Sequence, residues 1–89
     1  MNRIYRKANY NIYSFSDGGY IIHNMNLPFE KGHTHIRNYH TAKFLIDLSY
    51  HRSIPNKRLN KYLLESLIRI SDSKEYKNKI YRILSKTKK

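Results

Sequence analysis

The sequence predicts an α+β fold, in which an amino-terminal β-hairpin packs on a compact bundle of three short α-helices. Two patterns carry the prediction. Residues 9–26 hold aromatic and branched residues on both sides of an Asp-Gly-Gly turn, whereas residues 39–86 repeat apolar residues at helical spacing. With 89 residues the chain is one small domain, and nearly all of its apolar residues are needed for the core. Its predicted segments are a basic arm (1–8), the β-hairpin (9–26), a histidine-containing joint (27–38), the helices (39–86) and a basic tail (87–89).

The amino-terminal arm is rich in positive charge. Arg3, Arg6 and Lys7 surround Ile4 and Tyr5. Two interpretations fit this pattern. The segment is either a frayed terminus whose charges are solvated, or a basic arm that lies along phosphates while Tyr5 stacks on a base.

The hairpin turn is the clearest local signal. Asp-Gly and Gly-Gly supply the positive φ angles of a two-residue loop, and a loop at Asp17-Gly18 or at Gly18-Gly19 gives the same grouping of side chains. The two predicted faces hold Tyr13, Phe15, Tyr20 and Ile22 on one side, and Tyr10, Ile12, Ile21, His23 and Met25 on the other. One face must pack on the helices. The other is either covered by a third strand or the joint, or it exposes tyrosines on which unpaired bases stack.

Residues 27–40, the joint and the two residues that follow it, contain three of the five histidines. Pro28 and Gly32 interrupt regular structure there, and residues 34–37 could form a third short strand. Four side chains of the joint region offer zinc ligands: Glu30, His33, His35 and His40. His33 or His35 could also act as a general acid or base in phosphodiester cleavage. Neither pattern is specific, because no histidine pair has i, i+4 spacing and the chain has no cysteine. We therefore expect no catalytic residue, metal or cofactor.

Three helices follow the joint. Asn38 is the predicted N-cap of the first, which Pro55 ends. Its expected buried face consists of Ala42, Leu45, Leu48 and Ser49, broadened by Phe44 and Ile46. Asn56 is the predicted cap of the second, central helix. Its apolar row is Leu59, Leu63, Leu67 and Ile70. Asp72 and Glu75 fit a capping box at the start of the third helix. Its core face is Tyr76, Ile80, Ile83 and Leu84.

Positive charge dominates the chain. Lys and Arg number 18 against 6 acidic residues, a formal net charge of +12, and residues 56–89 contribute +8 from eleven basic and three acidic residues. A polyanion relieves the repulsion within such a chain, and nucleic acid is the commonest polyanion. A solvated surface is the alternative, and cations near a helix carboxyl end also complement its dipole. The candidate phosphate contacts are Arg37, Arg52, Arg58, Lys61, Arg69, Lys79 and Arg82, and the candidate base contacts are Tyr13, Tyr20, His33 and His35.

Other features narrow the class of protein. The absence of cysteine is compatible with a reducing cytoplasm, and no apolar run is long enough for a membrane span or a secretory signal. We therefore expect a cytoplasmic protein that does not enter a membrane. The chain lacks Val, Gln and Trp and is rich in Lys, Ile, Asn and Tyr, which AT-rich codons favour. A small basic protein of this composition is typical of phages and mobile elements.

These observations favour a small non-enzymatic protein that binds nucleic acid. Single-stranded or structured RNA or DNA suits the tyrosine-rich hairpin better than the major groove of a duplex does, and the sequence has no convincing helix-turn-helix. The alternative is a protein-interaction module, an inhibitor or adaptor that docks on a nucleic-acid-processing enzyme or a ribonucleoprotein complex. A dimer is compatible with both, because a short hairpin edge and a small core each gain from pairing.

Overall fold

The computed structural model describes residues 2–55 and 59–86, and within them the α+β architecture expected from the sequence is confirmed. Four antiparallel strands form one sheet in the order in which they occur along the chain, and three helices follow. The elements are β1 Asn2–Lys7, β2 Tyr10–Ser14, β3 Tyr20–Asn24, β4 His33–Ile36, α1 Tyr39–His51, α2 Lys61–Ile70 and α3 Lys74–Lys86. The helices cover one face of the sheet and leave the other face uncovered.

The first strand replaces the expected basic arm. Residues 2–7 pair with β2 along their whole length, with an irregularity in the register between Arg3 and Tyr5. An edge strand has one side in solvent, so it accommodates arginine and lysine without burying their charge. Residues 2–7 are therefore neither a frayed terminus nor a free arm, and contact of Arg3 and Arg6 with phosphates stays a prediction.

The β2–β3 loop has three residues, 16–18, and not the two that the sequence suggested. The Phe15 N–H donates to the Gly19 carbonyl at 3.0 Å, and the Gly18 N–H donates to the Phe15 carbonyl at 3.2 Å. Gly18 has φ of 88°, the left-handed conformation that closes a three-residue loop. The Asp17 carboxylate accepts a hydrogen bond from the Gly19 N–H at 3.0 Å. The turn residues were therefore identified correctly, but the loop length was wrong by one residue.

This extra loop residue changes which side chains share a face. Ile12 is opposite Ile22, and Ser14 is opposite Tyr20. Strand side chains alternate between faces, so a one-residue shift moves a whole strand relative to its partner. Tyr20 consequently lies on the helix-covered face, and Tyr13 lies on the opposite one. The predicted grouping of Tyr13 with Tyr20 is wrong.

The expected third strand is confirmed as β4, one residue earlier than predicted. It pairs with β3, from Tyr20 opposite Ile36 to His23 opposite His33. The connection before it turns at Gly32, whose N–H donates to the Pro28 carbonyl at 2.9 Å. A Cβ at Gly32 would lie 2.6 Å from the Leu27 Cβ, so this position requires glycine.

Helix α1 begins as expected. The Asn38 side chain accepts a hydrogen bond from the Thr41 N–H at 2.9 Å. The buried residues of α1 are Ala42, Leu45, Ile46, Leu48 and Ser49, whereas Phe44 is 43% exposed. The helix ends at His51, the last residue of the predicted stretch, because Arg52 adopts the left-handed conformation with φ of 52° and its N–H donates to the Leu48 and Ser49 carbonyls. Pro55, which was expected to stop the helix, lies three residues beyond this cap. A helix that ends in this way does not need proline to stop it.

Helices α2 and α3 begin at different caps from those predicted. The α2 cap is Asn60, whose side chain accepts from the Leu63 N–H at 2.8 Å; the expected cap, Asn56, lies outside the described residues. The α3 N-terminus is capped by Ser73, whose hydroxyl accepts from the Tyr76 N–H at 3.3 Å. Asp72 instead accepts from the Asn26 side chain at 2.8 Å. Among the described residues, no helix combines the length and apolar character needed to cross a membrane.

The core lies between the sheet and the helices. Its fully buried side chains include Ile12, Ile22, Leu45, Ile46, Leu64, Leu67, Ile70 and Ile80. Hydrogen bonds between buried polar side chains join the two layers: the Tyr10 and Ser49 hydroxyls are 2.7 Å apart, and Thr34 donates to Ser66 at 2.8 Å. Burial raises the pKa of Tyr76 to about 12, and the Tyr76 hydroxyl donates to a backbone carbonyl at 2.8 Å.

Candidate nucleic-acid interface

The sheet face that the helices do not cover carries two rows of side chains across all four strands. Directly paired residues share a face, so the register defines both rows. The first row runs Arg3, Tyr13, Ile21, His35, and the second runs Arg6, Asn11, His23, His33. We call these eight residues the open face. It has guanidinium groups at one edge and imidazoles at the other, roughly 14 Å apart across three strand spacings.

Aromatic rings extend the imidazole edge of the open face. Phe29, in the β3–β4 connection, stacks on His33 with 4.4 Å between the ring centroids and 8° between the ring planes. The His23 ring lies 5.2 Å from the Phe29 ring, and the His35 ring lies 5.3 Å from the His33 ring. Phe29 is 39% exposed and His35 is exposed, so this ring cluster presents flat surfaces to solvent.

Two backbone carbonyls hold the imidazoles in place. His23 Nε2 lies 3.0 Å from the Leu27 carbonyl oxygen, and His33 Nδ1 is hydrogen-bonded to the Phe29 carbonyl oxygen. A carbonyl oxygen only accepts, so each of these ring nitrogens carries its hydrogen and donates. In a neutral ring, the second nitrogen is then a hydrogen-bond acceptor.

Tyr13 and Asn11 form the middle of the open face. The Asn11 side-chain N–H donates to the Tyr13 hydroxyl at 3.3 Å, which orients the half-buried Tyr13 ring. The Asn11 Oδ1 is buried and has no hydrogen-bond partner in the described part of the chain. Buried acceptors are usually paired. The centre of the open face thus contains a buried, unsatisfied acceptor, and the neighbouring Ile21 is also buried.

A groove of about 540 Å³ adjoins the open face at the loop end of the sheet. Its lining residues are Phe15, Asp17, Gly18, Gly19, Tyr20, His35, Ile36, Arg37 and Tyr62. The Tyr62 hydroxyl donates to the His35 carbonyl, which ties α2 to the β4 edge. Tyr20 also contacts Tyr39 on the helix-covered side, with 5.7 Å between the ring centroids. The groove therefore lies where the hairpin loop, β4 and α2 meet.

The structure brings together only some of the residues that the sequence singled out. Tyr13, His33 and His35 lie on the open face, and Arg37 and Tyr20 line the groove. The remaining candidates that the structure describes are exposed at separate places on the helices: Arg52 after α1, Lys61 and Arg69 on α2, and Lys79 and Arg82 on α3. Arg58 lies outside the described residues.

Sequence reasoning did not place four cationic or ring-bearing residues on the open face or in its ring cluster. Arg3 and Arg6 were assigned to an arm, and His23 was assigned to the opposite face from Tyr13. Phe29 was not considered. The alternation of charged and apolar residues at the start of the chain was the available signal for β1, but an edge strand of six residues gives only a weak pattern.

The histidines do not form a metal centre in the described residues, where no group of three or more His, Asp or Glu side chains is placed to hold an ion. His40, a candidate ligand, lies in the first turn of α1 beside Tyr39. Comparison of the chain with protein-family models, with curated proteins and with solved structures finds no match. We therefore argue function from the open face and the groove alone.

Proposed function

We propose that this protein binds single-stranded or structured nucleic acid through the open face and catalyses no reaction. The observation that carries the proposal is the uncovered sheet surface on which Arg3 and Arg6 accompany the ring cluster of His23, Phe29, His33 and His35. Sheets that bind single strands combine these two elements, because cations hold the phosphates and rings stack on the bases.

The two edges of the open face are expected to bind different parts of the nucleic acid, as their chemistry indicates. The guanidinium groups of Arg3 and Arg6 are exposed and can donate two hydrogen bonds to one phosphate. Phe29 and His35 offer ring faces of the size of a base, and stacking on a ring does not depend on base identity. We therefore expect binding with little sequence preference, in which unpaired bases are favoured over a duplex whose bases are already stacked.

The cations on the helices have a different role in this proposal. Lys61, Arg69, Lys79 and Arg82 are exposed, and they belong to a chain with a net charge of +12. Their field attracts any polyanion and accelerates its approach, without selecting a structure. We expect their loss to weaken the binding of single strands and duplexes to the same extent.

The test is fluorescence anisotropy with a labelled single strand of about twelve nucleotides, which is within the site size of single-strand-binding folds. Affinity should fall steeply with salt. In Arg3→Gln/Arg6→Gln, the slope of log K against log salt should become shallower by about 1.4, because each phosphate contact to a single strand contributes about 0.7. Lys79→Gln/Arg82→Gln removes the same charge from α3 and is the matched control.

Two results would contradict the proposal. One is negligible affinity at moderate salt for RNA, DNA single strands and duplexes alike. The other is an equal loss of single-strand affinity in both double variants, which would mean that the open face makes no contact beyond its charge.

The exposed tyrosines of the helices favour a second candidate, the protein-interaction module. Tyr50, Tyr62 and Tyr81 are 48%, 53% and 53% exposed, and tyrosine is enriched at the centres of protein interfaces. A pull-down from nuclease-treated lysate separates the two candidates, because a partner that survives nuclease cannot be bridged by nucleic acid. Loss of that partner in Tyr62→Ala or Tyr81→Ala would support docking through the helices.

A further inference from the structure

We infer that the groove at the loop end of the sheet holds one nucleobase of the bound nucleic acid, between the rings of Phe15 and His35. The inference rests on the proposed function and makes it more specific. It names the part of the ligand that this groove recognises, whereas the open face itself is proposed to bind strands without regard to sequence.

The two rings have the geometry of an open clamp. Their planes are 9° from parallel, and their centroids are 6.3 Å apart. Stacked bases are about 3.4 Å apart, so a base between two rings needs about 6.8 Å between them. The centroid distance is the largest gap that the two planes can have, so the pair must open by at least about half an ångström, through rotation of the two side chains, before a base can enter. Phe29 and His33, at 4.4 Å, are already in contact and leave no such gap.

The backbone on both sides of the clamp is held firmly. Phe15 is joined to Gly19 by a backbone hydrogen bond across the loop. His35 lies in β4 opposite Ile21, and its carbonyl accepts a hydrogen bond from Tyr62. A site whose two walls come from ordered backbone loses little entropy when a ligand enters.

The other groove residues fit a nucleotide. Its volume of about 540 Å³ is in the range of small-molecule sites, about 300–1,000 Å³. Arg37 is exposed at the groove and can contact a phosphate. Asp17 uses Oδ1 to accept from Gly19, and its second oxygen can accept from an N–H on the edge of a base. Gly18 lines the groove without a side chain, so backbone and ligand can approach closely.

Charge argues against a protein cation as the occupant. An arginine side chain is also flat and could enter between two rings, but it would meet Arg37 in a chain of net charge +12. A nucleotide brings a phosphate of the opposite sign. An aromatic side chain of a protein partner is the remaining flat group, and the experiment below includes it.

The experiment compares an intact single strand with strands that each lack the base at one position. The ratio of the two affinities is the contribution of that base. In the natural protein, at least one position should show a ratio of roughly 5- to 100-fold, which is the effect of one stacked base. Phe15→Ala and His35→Ala should reduce this ratio to near one, whereas Phe15→Tyr and His35→Phe, which keep a ring, should retain most of it.

Two variants provide the controls. Phe44→Ala removes an exposed ring from α1, outside the groove, and should leave the ratio unchanged. Arg37→Ala should weaken the intact and the abasic strands equally, because it removes a phosphate contact and no base contact. Phe15 is half-buried and lies outside the hydrophobic core, and circular dichroism will verify that its variants remain folded.

The possible results distinguish a failure of the clamp from a failure of the proposed function. If strands bind with the expected dependence on Arg3 and Arg6 but Phe15→Ala leaves every abasic ratio unchanged, the clamp is wrong and the open face stands. If no strand binds, the proposed function is wrong as well.

A free nucleoside monophosphate should bind at least 100-fold more weakly than the strand, and equal affinity would assign the groove to a free nucleotide. Loss of a nuclease-resistant partner in Phe15→Ala, with an unchanged abasic ratio, would assign it to a protein.

Discussion

Asn24 is the residue whose side chain does most to join the sheet to the helices. It is fully buried, and its Nδ2 donates to the Ile70 carbonyl at the end of α2 at 2.9 Å. Its Oδ1 accepts from the Asn9 side chain at 2.6 Å and from the Asn26 N–H at 2.9 Å. A single amide thus satisfies three groups that would otherwise be unpaired in or near the core.

We therefore expect Asn24→Ala to lower the free energy of unfolding by about 2–4 kcal/mol, because it leaves buried polar groups without partners. Urea denaturation measures the change. Asn78→Ala, at an exposed position of α3, is the control and should change the free energy by less than about 0.5 kcal/mol. A loss below about 1 kcal/mol for Asn24→Ala would mean that water replaces the amide.

Tyr76 gives the fold a predictable alkaline limit. Its hydroxyl donates to the Ser53 carbonyl at 2.8 Å, and burial, with a smaller contribution from Tyr10, raises its pKa to about 12. The unfolded chain loses this proton near the ordinary tyrosine pKa of about 10, whereas the folded chain keeps it. The stabilisation is therefore complete below pH 10 and is lost as the pH rises towards 12.

A shift of this size corresponds to about 2–3 kcal/mol of stability lost over that interval. In Tyr76→Phe, this loss at high pH should be absent. The free energy of unfolding near neutral pH should be lower by about 0.5–1.5 kcal/mol, because the hydrogen bond of the hydroxyl is missing. Urea denaturation of both proteins near neutral pH and above the ordinary tyrosine pKa measures the difference. If the free energy of unfolding of the two proteins fell in parallel with rising pH, groups other than Tyr76 would determine the alkaline limit. Tyr10 is one such group, because burial also raises its pKa.

Among the elements, the helices were more predictable than the strands. Asn38 was identified as a cap because an asparagine preceded a clear apolar period, and the structure agrees. Near α2, Asn56 was predicted as the cap, but Asn60, a residue of the same type four positions later, caps the helix. At α3, Asp72 and Ser73 are adjacent candidates, and the choice between them depends on the tertiary contact of Asp72 with Asn26.

The helix cap of α2 provides a direct test. Asn60→Ala should lower the free energy of unfolding by about 1 kcal/mol, and Asn60→Gly should lower it by only a few tenths, because glycine leaves the helix N-terminus accessible to water. Thermal denaturation monitored by circular dichroism measures both. Equal stability of Asn60→Ala and the natural protein would indicate that the Leu63 N–H is satisfied without the asparagine side chain.

Arg52 is strained where it ends α1. Its φ of 52° is uncommon for a residue with a side chain, and glycine adopts it without penalty. Arg52→Gly should therefore raise the free energy of unfolding by roughly 0.5–1 kcal/mol. Arg52→Ala keeps the strain and is the matched control, since it also removes the charge. A stability gain in both variants would attribute the effect to reduced charge repulsion and not to the backbone.

The strands show why the candidate surface was only partly predictable. The sequence Asp17-Gly18-Gly19 fits both a two-residue and a three-residue loop, and this choice decides whether Tyr20 shares a face with Tyr13. Arg3 and Arg6 fit an edge strand as well as they fit a loose terminus, because an edge strand is not required to bury both faces. Composition therefore suggested a class of partner, which stays a prediction, whereas long-range strand pairing determined the surface.

At the scale of the whole molecule, most of the net positive charge and the candidate binding surface lie in different parts of the chain. The aromatic surface and two arginines belong to the sheet, whereas residues 56–89 supply +8 of the net charge. In Lys79→Gln/Arg82→Gln we expect slower association with single strands and little change in dissociation, because distant charges act on approach. Stopped-flow fluorescence separates the two rates. A change confined to dissociation would place α3 in direct contact with the ligand.

The position of β1 at the edge of the sheet also bears on self-association. Its outer backbone groups are open to another strand, and Ile4 on it is 45% exposed, yet the strand is irregular near its start and carries the exposed cations Arg3 and Arg6. Two copies that approached edge to edge would bring these cations together. At 0.1 M salt, the repulsion between exposed charges more than about 10 Å apart is largely screened. We therefore expect dilute buffer to keep this edge unpaired and added salt to favour dimers, a trend opposite to that of polyanion binding, which sedimentation velocity can follow.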